Sequence, residues 1–344
     1  ILERLNERAR AAEEIGKIKR GRGAEFHVPE REREVMEKLS RANEGPLPDT
    51  AVRAVFREVM SACLALERPL RVAVLGPQGT FSHAAAERAF GSSAAILYEK
   101  SFRDIFDAVE RGAADYGVAP IENSTEGVVS QTLDLFADSP LRIVGEAVLP
   151  ISFCLLSASS SLGDVKRVYS HWQPLAQCRE WLRANLPEAE LEEVESTTAA
   201  AGLAQGEKGA GAVAAKVAAE LYNLNVLAER IEDNLNNRTR FVILGKREPA
   251  PSGRDRTSLM FSVKDEVGVL YAILGVFAAA GINLSKIESR PMKRRAWEYI
   301  FYVDLEGHAR EEKVAAAVEA VRERCRFLKV LGSYPRAAAE ADGR

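Results

Sequence analysis

The spacing of apolar residues in this chain changes twice along its length, and one periodic core cannot satisfy all three patterns. From Leu2 to Leu66 the apolar residues Leu2, Leu5, Ala9 and Ala12, and later Val52, Val55, Phe56 and Val59, recur at three- and four-residue steps. That spacing predicts helices and no strand. Pro29 suits the first turn of a second helix through Leu39, Pro48-Asp49-Thr50 suits the start of a third, and NEGPLP breaks the chain between them. A helical unit of roughly 65 residues cannot cover its own apolar stripes, so a partner chain is expected against it.

At RPLRVAVLGPQGT the pattern becomes a short apolar strand, a Gly-containing turn and the helix SHAAAERAF. Strands are expected at Gly117–Ile121, Leu141–Pro150, Ser152–Ser157, Arg167–Tyr169, Gly211–Ala214 and Phe241–Leu244, alternating with helices such as Phe102–Arg111 and Pro174–Asn185. Such alternation predicts parallel sheets with covering helices. KREPAPSGRDR loses all apolar period and reads as a linker. The last segment orders its elements βαββαβ, a ferredoxin-like module, and the Ala-rich, charged residues after Pro335 form a frayed tail. The expected chain is therefore multidomain: an all-α segment at 1–68, an α/β domain at 70–247 and an α+β ferredoxin-like domain at 257–335.

Composition excludes several classes. Hydrophobic residues are 47% and charged residues 28% of the 344, which is globular rather than disordered or fibrous. A net charge of -3 provides no basic field, so neither nucleic acid nor an anionic membrane is an expected partner. Cys63, Cys154, Cys178 and Cys325 lie far apart with no CxxC spacing, and there are four histidines, so neither a disulfide framework nor a metal site is expected. No apolar secretory core opens the sequence and no run of about 18 apolar residues follows, which predicts a cytoplasmic protein. The chain starts at Ile1 with the helical pattern under way, so residues upstream are expected.

Hydroxyls cluster where strands turn into helices. Thr80 and Ser82 precede AAAERAF, and Ser196, Thr197 and Thr198 precede AAAGLA. Such hydroxyls cap helices, and together with the free backbone N–H groups of a first turn they also hold carboxylates.

Five motifs, GPQGTFSHAAA, PIENSTEG, SHWQPLAQC, ESTTAAA and DNLNNRTRF, occur in the order of the prephenate dehydratase family, which the chain resembles over about 175 residues. The resemblance implies two α/β lobes, as in solute-binding proteins, with a cleft between them and crossovers near Glu146–Ser152 and Asn223–Arg230. It implies prephenate as substrate and no cofactor. Thr239 becomes the residue most tied to catalysis, through a hydrogen bond to the departing hydroxide. Asn123, Ser170 and Gln177 are its polar neighbours, and Thr80, Ser82, Glu122, Ser124 and Thr197 contact substrate. Arg240 is either a two-point clamp on a substrate carboxylate or a structural ion pair. Glu122 is either an acid or a loop residue binding backbone N–H groups, while Phe241 is core and His83 and His171 are capping or core residues.

The helical segment resembles the all-helical chorismate mutases. Arg8 and Lys19, eleven residues apart, share one helix face, and the resemblance adds Arg31, Glu32 and Glu67, with Lys19 and Glu67 flanking the ether oxygen of chorismate. Two departures stand out: the family's first helix supplies an arginine from before this Ile1, and Val28 stands where some relatives are acidic. The C-terminal module resembles the ACT domains that bind amino acids between paired copies. Gly268, Val269, Leu270, Asn283, Leu284, Glu288, Ser289 and Arg290 would line a phenylalanine site. The implied assembly is a homodimer or homotetramer. Two rival readings remain: a dehydratase whose helical segment only dimerises, and a non-catalytic ligand sensor on the same fold.

Overall fold

The computed structural model describes residues 1–22, 27–264, 266–291 and 299–337. Three helices come first: α1 (Leu2–Arg22), α2 (Pro29–Ala42) and α3 (Asp49–Glu67). Pro29 occupies the first turn of α2, where its missing N–H costs nothing, and Pro48 stands just ahead of α3. Helix α1 leaves Leu2, Leu5, Ile15 and Ile18 exposed, whereas Ala12 of the expected apolar face is buried and Ala9 half-buried. Among the described residues no helix is long and apolar enough to cross a membrane.

The next unit has two lobes. Lobe one comprises β1 (Arg71–Leu75), α4 (Phe81–Phe90), β2 (Ala95–Glu99), α5 (Phe102–Glu110), β3 (Tyr116–Asn123), β4 (Gly127–Val128), α6 (Ser130–Leu135) and β5 (Arg142–Pro150). Lobe two comprises β6 (Cys154–Ser157), β7 (Arg167–Ser170), α7 (Trp172–Gln177), α8 (Arg179–Asn185), β8 (Glu190–Glu193), α9 (Thr197–Gly206), β9 (Ala210–Ala214), α10 (Val217–Leu221) and β10 (Asn225–Glu229). The chain then returns to lobe one as β11 (Arg238–Gly245), which inserts between β3 and β5. The first sheet runs β2-β1-β3-β11-β5 and the second β10-β6-β9-β7-β8.

Several expectations change here. The sheets are mixed rather than parallel, because β11 pairs antiparallel with both β3 and β5, and β6 does so with β9 and β10. Strands that pass straight from one lobe to the other need no covering helix, so nothing enforces parallel order. The second crossover lies at residues 230–237, because Asn225–Glu229 is itself strand β10, paired to β6. The first crossover is the short stretch Ile151–Phe153. Buried Glu232 ties the two together, accepting from the Phe153 N–H at 2.8 Å and the Ser152 hydroxyl at 3.3 Å. The expected helix Pro174–Asn185 breaks at Cys178, where the Asp233 carboxylate accepts from the Glu180 and Trp181 N–H groups and starts α8 afresh.

The last unit is β12 (Asp255–Val263), α11 (Val269–Ala279), β13 (Leu284–Pro291), β14 (Tyr299–Glu306), α12 (Glu312–Arg322) and β15 (Cys325–Pro335), the predicted βαββαβ order in a β13-β14-β12-β15 sheet. One face of this sheet buries Leu259, Phe261 and Val303 under α11 and α12. The other face packs Met260, Tyr302, Leu331 and Tyr334 into the core of lobe one with Ile105, Phe106 and Phe136. At Gly332 the backbones approach so closely that a Cβ would collide with the Ile143 carbonyl.

Candidate active sites and the regulatory module

Strand pairing places Thr239 of β11 directly opposite Asn123 of β3. The Asn123 amide donates to the Thr239 hydroxyl oxygen at 2.8 Å and to Asn237 Oδ1 at 2.7 Å. Asn237 donates in turn to Gln177 Oε1 at 3.2 Å, and Gln177 donates to the Glu126 carboxylate at 3.2 Å. The order of donors is fixed at both ends. Asn123 Oδ1 accepts from the Thr125 and Glu126 N–H groups, each at 2.8 Å, so its Nδ2 must face Thr239, and the carboxylate at the far end accepts. Thr239 is nearly buried, at 7% exposure, and with a lone pair of its hydroxyl oxygen occupied by Asn123 its own proton is left to donate elsewhere. This chain crosses the cleft, since Gln177 belongs to lobe two.

The two hydroxyl-rich helix starts face each other across the cleft. Thr80 caps α4 by accepting from His83 N, and Ser196 caps α9 by accepting from Ala199 N at 3.0 Å. A Cβ on Gly79 would lie 3.2 Å from Thr198 of the opposite lobe. The two helix N-termini therefore stand close together, and helix N-termini favour anions. Beside this contact lies a cavity of about 390 Å3, lined by Gln78, His83 and Tyr98 from lobe one and by Val217, Glu220 and Leu221 from lobe two. Ser82 is buried in the first turn of α4 and Thr197 opens α9. Ser124 is tied to the return strand, its hydroxyl donating to Asn236 O and accepting from Arg238 N.

Other expected site residues point elsewhere. Ser170 is fully buried and donates to the Val213 carbonyl at 2.6 Å, inside the second sheet. His83 accepts from the Gly79 N–H and His171 caps α7, the capping roles expected of them, and Phe241 is core. Arg240, one residue beyond Thr239, lies on the opposite face of β11 and takes the ion-pair alternative. Its guanidinium meets Asp304 of β14 at 2.6 Å, with Glu146 and Glu122 each at 3.4 Å. Burial opposes the charge, but these carboxylates outweigh it and hold Arg240 as a cation well above its ordinary pKa. Glu122 likewise faces the C-terminal sheet, 3.0 Å from Lys286. Sequence reasoning passed over Asn237, Glu126 and Glu232. Asn237 stands two residues before Thr239, so strand alternation puts both on one face.

In the helical segment Lys19 and Glu67 meet at 2.8 Å, both largely buried, and Arg20 donates to the Glu67 carbonyl at 2.6 Å. Gly16 makes this approach possible, since a Cβ there would stand 3.0 Å from the Glu67 Cα. Arg8 lies exposed on α1. Arg31 pairs with Glu34 at 3.8 Å, and Glu32 pairs with His27 at 3.4 Å, which in turn bonds the Tyr116 hydroxyl of lobe one.

In the last unit Gly268 precedes α11 with φ of 81°, a left-handed conformation that suits glycine, and Val269 and Leu270 follow it half-buried. Asn283 is exposed, with its carbonyl accepting from Glu306 N, and Leu284 begins β13. Along β13 the side chains alternate: Ser289 is exposed, while Glu288 and Arg290 turn toward lobe one, Arg290 lying 3.4 Å from Asp134. Val267, Tyr271, Ile287 and Tyr299 of this unit are exposed apolar side chains. Among the described residues no three His, Cys, Asp or Glu side chains stand together as a metal site.

The sequence matches three family profiles in order: chorismate mutase type II over residues 1–68, prephenate dehydratase over 72–249 and the ACT domain over 257–323. A bifunctional chorismate mutase/prephenate dehydratase of Aquifex aeolicus is 52% identical, over 98% of this chain and 94% of its own length. Among solved structures, a prephenate dehydratase from Arthrobacter aurescens in complex with L-Phe is 37% identical with a TM-score of 0.70, covering 78% of this chain and 90% of its own. A structure described as GqqA, a novel type of quorum quenching acylase, is 31% identical with a TM-score of 0.72, covering 78% of this chain and 98% of its own. The chain belongs to the prephenate dehydratase family, in the bifunctional form that carries a chorismate mutase segment ahead of the dehydratase and an ACT domain behind it.

Proposed function

We propose that the chain performs two consecutive steps of phenylalanine biosynthesis, chorismate to prephenate in the helical segment (1–68) and prephenate to phenylpyruvate in the cleft (70–247), with phenylalanine bound by the ACT module (257–335) restraining the second. The observation that carries the reading is the directed hydrogen-bond chain that crosses the cleft and ends on Thr239.

In the dehydratase step the bond from the ring to its carboxylate breaks, and its electron pair enters the ring as CO2 leaves. The C–O bond opposite then breaks with its pair, and hydroxide departs as water after taking a proton from solvent. Negative charge grows on the departing oxygen, and the Thr239 hydroxyl, oriented by Asn123, donates to it. A fixed donor aimed at developing charge is the most economical catalyst for such a step, because nothing need reorganise as the reaction proceeds. Substrate carboxylates sit against the starts of α4 and α9, where Thr80, Ser82 and Thr197 stand. Arg240 takes no part in substrate binding, since its charge is already matched. No cofactor is required.

The Lys19–Glu67 pair marks the mutase site, with Arg8 and the α2 residues Arg31 and Glu32 clamping carboxylates once a second copy covers α1. The exposed apolar residues of α1 and those of the last unit, Val267 and Tyr271 among them, are the two surfaces through which copies associate, giving a homodimer or homotetramer. The protein works in the cytoplasm. Relatives of the bifunctional kind match 98% of the chain, which favours this reading over a helical segment that only dimerises and over a non-catalytic sensor. The test is to supply chorismate and follow three species. Prephenate should rise and fall as phenylpyruvate accumulates, and added phenylalanine should trap prephenate. Phenylpyruvate formed only when prephenate is supplied directly would remove the mutase activity.

A further inference from the structure

Three strands of lobe one and three strands of the ACT sheet face each other, and each offers one charge. Glu122 on β3 meets Lys286 on β13 at 3.0 Å, Arg240 on β11 meets Asp304 on β14 at 2.6 Å, and Glu146 on β5 meets Arg256 on β12. The strand order β3-β11-β5 is matched by β13-β14-β12, so the pairs lie side by side as a row of three bridges. The first two bridges are in register in both sheets, since Glu122 is the cross-strand partner of Arg240 and Lys286 that of Asp304, while Glu146 and Arg256 stand two residues along, opposite Val242 and Glu306. Asp304 is nearly fully buried and also accepts from Ser258, whose hydroxyl lies 2.7 Å from that of Tyr334. The central pair is desolvated, so it holds a defined geometry in a way that an exposed pair does not.

The same two strands of lobe one carry the cleft residues. Asn123 follows Glu122 and Thr239 precedes Arg240, and the two rungs are adjacent in register. Successive side chains on a strand point to opposite faces, so each strand shows one residue to the cleft and its neighbour to the ACT sheet. A backbone shift of either strand moves both. On the ACT side, Lys286 lies two residues before Glu288, within the strand that carries the expected phenylalanine motif.

We propose that Glu122 and Arg240 are positioning residues through which the ACT sheet sets the Asn123–Thr239 pair, so that a change at β13 and β14 reaches the dehydratase cleft through Lys286 and Asp304. This rests on the functional reading above and adds the route by which regulation arrives. Lys286 and Asp304 need not touch phenylalanine. Reciprocity then requires that substrate in the cleft alter phenylalanine affinity through the same bridges.

The experiment uses the full chain with Lys286→Met, Lys286→Arg and Asp304→Asn. Dehydratase kcat and KM are measured without and with saturating phenylalanine, and phenylalanine affinity is measured by calorimetry. In Lys286→Met the ratio of uninhibited to inhibited kcat/KM should fall at least about fivefold, the lower end of ordinary coupling factors. Phenylalanine should still bind within about threefold of the parent, and Lys286→Arg should restore the ratio. Asp304→Asn should show the same loss together with a lower kcat at little changed KM, which loosened packing alone would not select. An unchanged ratio in Lys286→Met, or a loss of inhibition that merely follows a loss of phenylalanine binding, overturns the assignment. A parent chain with no phenylalanine-sensitive turnover overturns the functional reading itself, and the coupling falls with it.

Discussion

Replacing Gly79 with alanine separates what the lobes need from what the loop needs. Gly79 has φ of +88°, and the Cβ of an alanine there would lie 2.9 Å from Leu221 Cδ1 and 3.2 Å from Thr198 Cγ2, both in the opposite lobe. The left-handed backbone costs a residue with a Cβ about 1–2 kcal/mol wherever the lobes stand, so that part lowers stability alone. The contact acts only when the lobes meet. Overpacking of this kind costs about 1–3 kcal/mol, which corresponds to roughly a 5- to 150-fold fall in dehydratase kcat/KM if the lobes must meet to react. Leu221 is partly exposed and its methyl can swing aside, which places the expected effect toward the lower end. The double variant with Leu221→Ala removes the nearest atom and should recover most of the kcat/KM while keeping the loss of stability. The assays are steady-state prephenate turnover and urea unfolding of the single and double variants. A single variant with the expected loss of stability and unchanged kcat/KM would show that the lobes need not meet at Gly79 for reaction.

Two further outcomes follow from buried charges. Burial raises the Asp304 pKa, but Arg240, Ser258 and Arg256 more than offset it, so its carboxyl titrates below the ordinary range. Its stabilising contribution is thus full above about pH 4 and is lost as pH falls through the lowered folded value. Asp304→Asn should cost on the order of 3 kcal/mol at neutral pH, and the gap to the parent should narrow on acidification, read as urea midpoints; a gap constant with pH refutes the assignment. Lys19→Met should lower chorismate consumption about a hundredfold while leaving prephenate turnover intact, and loss of both activities would place Lys19 in folding instead.

Periodicity made the helical segment and the βαββαβ module legible, because each has a strong local signal: prolines at helix starts in the one, short alternating elements in the other. Strand β8 escaped because Glu190–Glu193 is almost wholly charged and lies at a sheet edge, where burial does not imprint an apolar pattern. Strand β10 was taken for a crossover because five residues between turns carry too little pattern to tell a strand from a link. Thr239 and Asn123 were found through their motifs, yet their pairing depends on the register of β11 between β3 and β5, which joins residues more than a hundred positions apart. Arg240 shows the limit most clearly. Alternation says that it faces away from Thr239, but only the docking of the ACT sheet brings Asp304 to it there.

The central claim is that the Thr239 hydroxyl drives loss of hydroxide from prephenate. Thr239→Val keeps the side-chain volume and leaves the Asn123 amide its second acceptor, Asn237, so the fold should survive. Phenylpyruvate formation from saturating prephenate should then fall about a hundredfold or more, with chorismate consumption by the same preparation unchanged. Turnover within a few-fold of the parent would contradict the account.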